Sequence, residues 1–210
     1  MKQILFAALL LAAAPCLAEV KDQAAAIAAL NSASAKDRLE AIHYLALQKD
    51  QVSYEALAGR FQTEKDAYLR VQIVEALDVQ GSTWAYSCAM SAADDGNKAV
   101  RQAAAPMLAP LAGTPAGYKK LKAMAADPDA DVRMALVNSL AVDHSTAAVS
   151  IIGTVLTDKK GPLGARRLAA SRLSEMNTKE ADTELLKHLS DGDPQIKAAA
   201  AARKPKKGGK

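Results

Sequence analysis

Several groups of residues have the types that catalysis or metal binding requires. Asp143-His144-Ser145 holds the three side chains of a hydrolase triad, yet proton transfer needs them to converge in space, and adjacency along the chain does not give that geometry. The tripeptide reads as a polar loop between repeats. Asp127, Asp129 and Asp131 imitate the opening of a calcium loop. The sixth and twelfth places of such a loop call for glycine and a bidentate glutamate, and the chain has Val132 and Asn138 there, so helix capping is the expected role. His43, His144 and His188 lack the i, i+3 or i, i+4 spacing that puts two imidazoles on one metal, and each is expected at the surface or partly buried. Cys88 follows Trp84 by four residues, which puts both on one helical face and suits a buried thiol against an indole. A redox thiol would need exposure and a nearby cation, and the nearest in sequence is Lys98. No Gly-x-Ser-x-Gly elbow, phosphate loop or dinucleotide fingerprint is present. The expected catalytic, cofactor and metal sets are all empty.

The elements that would position a site start after a leader. Lys2, the apolar run Ile4 to Ala14, and Cys16-Leu17-Ala18 before Glu19 have the layout of an export signal, which predicts cleavage after Ala18. The run is too short to span a bilayer, which takes about 20 residues. Pro15 stands where lipidation of Cys16 would call for a small flexible residue, which argues against a lipid anchor. The mature chain is expected to be periplasmic or secreted, soluble and without stable membrane insertion. Only Cys88 then remains, so stability must come from burial without an intramolecular disulfide. The formal charge of +4 falls to +3 with the loss of Lys2, and much of it sits in the tail Arg203-Lys204-Pro205-Lys206-Lys207-Gly208-Gly209-Lys210. The near-neutral body does not offer the field that drives nucleic-acid binding, and the tail (203–210) reads as disordered, with weak contact to an anionic surface open to it.

Between leader and tail, one cation returns every 31 to 33 residues: Arg38, Arg70, Arg101, Arg133, Arg166, Lys197. The third, fourth and seventh positions after it are apolar in five successive copies: Ala41/Ile42/Leu45, Ile73/Val74/Leu77, Ala104/Ala105/Leu108, Leu136/Val137/Leu140 and Ala169/Ala170/Leu173. That is the buried stripe of a helix. The sixth copy keeps Ala200 and Ala201 but has Lys204 at the last place, as a terminating repeat should. Asp66, Asn97, Asp129 and Asp193, four residues before the cation, are candidate N-caps, and Pro128, Pro162 and Pro194 mark the same turns. A first helix precedes each turn, near 22–33, 53–63, 84–93, 115–126, 146–157 and 179–190. The 47 alanines and scarce aromatics agree with close helix packing. The expected fold is all-α, an α-α superhelix of about six stacked hairpins over 19–202, since no hairpin alone can bury its apolar faces.

The pattern Asp-x-x-Val-Arg-x-x-Ala-x-x-x-Leu, best matched at Asp129 to Leu140, resembles the short HEAT-like repeat of the bilin-lyase type. The resemblance covers essentially the whole mature chain. It implies a hydrogen-bonded ladder near the turns, with Asp66, Asp129, Arg70, Arg101, Arg133 and Arg166 as architectural residues. The first repeat (Lys36-Asp37-Arg38) and the fifth (Pro162 to Arg166) depart from the pattern. The resemblance also implies that second helices line a concave side, where the places one and five residues after the cation point outward. They form the rows Leu39, Val71, Gln102, Met134, Arg167 and His43, Glu75, Pro106, Asn138, Ser171. A face so mixed suits a protein or peptide partner, although Leu39, Val71 and Met134 are equally suited to packing against neighbouring helices. The reading is a monomeric, non-catalytic exported scaffold. A tetrapyrrole- or bilin-handling, lyase-like enzyme is the alternative, and an envelope spacer a third.

Overall fold

The computed structural model describes residues 22–78 and 83–203. The leader and the tail from residue 204, Lys204 of the sixth stripe included, lie outside these, as does the side chain of Trp84. Twelve α-helices are present among the described residues, paired into six hairpins: α1 (Gln23–Ala29) with α2 (Ala35–Gln48), α3 (Gln51–Thr63) with α4 (Ala67–Asp78), α5 (Thr83–Ala92) with α6 (Lys98–Leu108), α7 (Pro115–Met124) with α8 (Ala130–Leu140), α9 (Thr146–Thr157) with α10 (Leu163–Met176), and α11 (Lys179–Leu186) with α12 (Pro194–Ala201). A 3-10 turn, Ala109–Leu111, follows α6.

All fifteen residues of the five repeated triplets are buried. In the sixth repeat Ala200 is buried, whereas Ala201 is exposed. Each second helix packs along the next, and these contacts are more extensive than those between successive first helices. The α6–α8 pair is the most extensive, and the small Ala104 and Ala105 are fully buried in α6.

The helix starts follow from short polar caps. Asn97 and Asp129 accept from amides two residues on, Asp193 from those of Gln195 and Ile196, and Asp66 from that of Tyr68. The ladder differs from the expected one, because these caps are not its acidic partners. Each arginine reaches instead a carboxylate in the next repeat's turn, two places before the cap for four of them and four places before Pro162 for Arg133. Arg38 Nε lies 2.9 Å from Glu64, Arg70 Nε 2.7 Å from Asp95, Arg101 Nε 2.7 Å from Asp127, Arg133 Nη1 2.7 Å from Asp158, and Arg166 Nη2 2.6 Å from Asp191. Asp66 and Asp129 are the caps that the sequence expected and are not the ladder's acidic partners, since a cap oxygen is turned onto its own helix's amides. The irregular first and fifth repeats both supply a rung.

Each rung is bonded on both sides. Arg70 Nη1 donates to the carbonyls of Glu64 and Lys65 in its own turn, and Arg101 Nη1 to those of Asp95 and Gly96. Each acceptor carboxylate takes the backbone amide two residues later, from Asp66, Asn97, Asp129, Lys160 or Asp193. The ladder stops at both ends by substitution: Ser32 occupies the acceptor place of the first turn, its hydroxyl taking the Ser34 amide, and exposed Lys197 occupies the donor place of the last. Gly161 is required in the fifth turn, where an added Cβ would meet the Arg133 guanidinium and come within 2.8 Å of Asp158 Oδ2.

Burial is the leading influence on the carboxyls of Glu64, Asp95, Asp127 and Asp191 and works to raise them, but turn amides and guanidiniums outweigh it. At Asp158 the Arg133 hydrogen bond leads and lowers. All five sit below their ordinary values, Glu64 at about 2. With folded values depressed, the unfolded chain binds more protons in acid, so the ladder's contribution is complete above the ordinary carboxyl range and is lost as pH falls through the depressed values. Urea titrations followed by CD should therefore give a midpoint that is steady between about pH 7 and pH 5 and falls steeply between about pH 4.5 and pH 2. An equal midpoint at pH 7 and pH 3 would show that the ladder is energetically idle.

Candidate interaction face

Most of the residues with catalytic or metal-binding types have structural partners. Asp143 accepts the Ser145 amide and hydroxyl, both at 2.9 Å, and the Ser145 hydroxyl caps α9 by accepting the Ala148 amide, while His144 is exposed. Asp127 holds Arg101, Asp129 caps α8, and Asp131 lies 2.9 Å from Lys98 of the preceding repeat. His188 is buried beside Asp191, with Nδ1 at 3.5 Å from its carboxylate. Cys88 is buried in α5, and burial pushes its thiol up to about 12.

The two outward rows fall on the second helices, with unequal exposure. Leu39, Val71 and Met134 are half-buried and packed against the core, whereas Gln102 and Arg167 are exposed. His43, Glu75, Pro106, Asn138 and Ser171 are all exposed. The physical difference is the angle around the helix: the place one residue after the cation lies at the margin of the buried stripe, and the place five after lies opposite it. Arg167 is tied to Asp193 of the next repeat at 2.7 Å.

Polar links across repeats hold the outward row in place. His43 Nε2 lies 3.1 Å from Gln72 Oε1, and Gln72 donates to Glu75 at 2.8 Å. Further along, Arg172 donates to Asn138 at 3.1 Å and to Glu175 at 2.8 Å, and Ser171 donates to Glu175. Gln72, Arg172 and Glu175 were not singled out from the sequence. Their spacing from the cation (two, six and nine places) puts them beside the row, which was the available signal.

Between these two networks the face changes character. Pro106 sits inside α6 and has no N–H, so the Gln102 carbonyl goes without its helical donor. Such a proline costs a helix interior about 3 kcal/mol relative to alanine. A notch of about 480 Å³ opens here, lined by Pro106, Ala109, Pro110, Ser139, Val142 and Asp143. Val142 is 85% exposed, the most exposed of the large apolar residues on the described surface. Of the lining residues only Pro106 was expected from the repeat, because the 3-10 turn and the loop after α8 fall outside its regular places.

With this geometry in view, the family can be stated. A family model for HEAT repeats matches residues 63–141 and 118–203. The chain belongs to the HEAT-repeat family. HEAT and armadillo-type folds among solved structures resemble it over most of its length. The CpcE and CpcF complex of phycocyanin lyase from Nostoc sp. PCC7120 has 21% identity over 87% of this chain and 75% of that one, with a TM-score of 0.56. A designed armadillo repeat protein in complex with the peptide (KR)4 has 16% identity over 85% and 96%, with a TM-score of 0.55. An engineered protein has 18% identity over 85% and 93%, with a TM-score of 0.52. No curated protein sequence matches this HEAT-repeat chain.

The thiol supplies a check on the packing of the third hairpin. Cys88 should react with Ellman's reagent at least a hundredfold more slowly in the native chain at pH 8 than in 6 M guanidinium chloride, about 2.7 kcal/mol of protection. Stoichiometric labelling of native protein within minutes would contradict its buried placement.

Proposed function

We propose that this HEAT-repeat chain is an exported, non-catalytic scaffold that holds a protein or peptide across its second-helix face. The observation that carries the reading is the prearranged outward row. Exposed His43, Glu75, Pro106, Asn138 and Ser171 stand on five adjacent second helices, and side-chain bonds between repeats hold His43 and Asn138 before any partner arrives. A surface ordered in advance loses less entropy on association. That a designed armadillo protein of similar fold takes a peptide lends support by analogy of architecture. The likeness to a phycocyanin lyase is one of fold and gives the bilin-handling alternative no residue set of its own.

Export rests on the leader pattern of residues 1–18, and the absence among the described residues of a helix long and apolar enough to cross a membrane is compatible with it. The reading is tested with the full chain carrying a photo-crosslinking amino acid at Ser171 or Glu75, and at Glu55 or Thr183 on first helices as controls. Irradiation of producing cells should give discrete adducts from the second-helix positions, recovered from the periplasm or medium, with a mature chain that begins at Glu19. Adducts from the first-helix positions only, or a full-length chain retained in the cytoplasm, would overturn the reading.

A further inference from the structure

The middle of the second-helix face combines three features that point to the chemistry of what it holds. The notch beside Pro106 is walled by Ala109, Pro110 and the exposed Val142, a seat for one aliphatic side chain. The carbonyl of exposed Gln102 on α6 lacks its usual i+4 donor, because Pro106 has no N–H. Asp143 lies on the rim of the notch, and Glu75 stands on the neighbouring second helix α4, at the place in the repeat that Pro106 holds on α6. Among the described residues the groups found on these carboxylates are uncharged, the Gln72 amide on Glu75 and the Ser145 amide and hydroxyl on Asp143. Elsewhere on the second helices Arg167 is paired with Asp193 and Arg172 with Glu175.

We infer that the occupant is an extended cationic peptide segment with an aliphatic residue at its centre. The aliphatic side chain enters the notch, a backbone N–H of the segment donates to the Gln102 carbonyl, and basic side chains pair with Asp143 and Glu75. Adjacent second helices lie about 10 Å apart, which an extended chain covers in about three residues. One cation therefore neighbours the aliphatic residue and another lies three places away. This rests on the scaffold reading and commits it to a chemical class of partner.

The probe is a fluorescein-labelled nonapeptide with leucine at its centre, lysines one and three places away on each side, and serine or glycine elsewhere. Fluorescence anisotropy with the mature chain should give saturable binding that weakens at least tenfold when the leucine becomes serine, and at least tenfold in the Glu75→Lys, Asp143→Asn variant. The Glu75→Lys variant should in turn gain affinity for a peptide carrying glutamates in place of lysines. Pro106→Ala separates binding from folding, since it returns an N–H to Gln102 and removes a wall of the notch. It should raise the melting temperature and still weaken the lysine peptide at least fivefold. Binding indifferent to the central leucine or to Pro106→Ala would overturn the proposal. So would a chain ending at Arg203 that binds the lysine peptide several-fold more tightly, which would make the chain's own basic tail the occupant. Adducts from the second-helix face together with failure of this peptide series would sink the assigned chemistry and leave the scaffold reading standing; loss of both would end the scaffold reading.

Discussion

The architecture depends on a shared ion pair: an arginine that opens one repeat's second helix and a carboxylate in the next repeat's turn. Hydrophobic burial along the stripe brings hairpins together but fixes neither their register nor their direction, because alanine-rich faces slide at small cost. The guanidinium does fix it. It is a planar donor set held by carbonyls of its own turn, and it points at one carboxylate that is itself held by a turn amide. Breaking such a partly buried pair from one side strands a charge, which is costly, so each rung favours one arrangement of neighbouring repeats over shifted ones. Ser32 and Lys197 end the series at its two limits, so neither end of the array offers a further copy the partner that a rung requires.

Much of this was legible from residue types and spacing. The triplets after each cation identified the buried stripe because burial on a helix imposes a three-four period that composition alone does not mimic. The caps at Asp66, Asn97, Asp129 and Asp193 were legible for an equally local reason, the free amides of a helix's first turn. The rung acceptors were not. Glu64, Asp95, Asp158 and Asp191 act on arginines 25 or 26 residues earlier, and nothing near each acidic residue in sequence distinguishes a cap from a rung. Asp127 shows the difficulty well: it lay in view as part of an Asp-x-Asp-x-Asp run, and only the packing of α6 against α8 assigns it to Arg101.

The candidate face was legible in outline. The five-place row is outward in every repeat where it was expected, whereas the one-place row divides by how far each side chain reaches back over the stripe. What escaped is the irregular middle. The 3-10 turn after α6 and the close approach of Gly117 to Leu111 are departures from the repeat, and periodic reasoning averages departures away. Regular repeats hold the stack in register, and the departure at its centre supplies a notch, a carbonyl deprived of its i+4 donor and the Asp143 carboxylate on the rim. A periodic scaffold thus concentrates its chemical individuality where the period fails.

The central claim is that rungs make the stack one cooperative body, and native-state hydrogen exchange on an Arg101→Met chain tests it most directly. That residue joins the third hairpin to the fourth, and removing it leaves Asp127 without its cation. The account predicts that amides of α1 to α6 and of α7 to α12, which should exchange with one common opening free energy in the parent, divide into two groups that open independently. A variant whose twelve helices kept a single common opening free energy, undiminished from the parent, would contradict it.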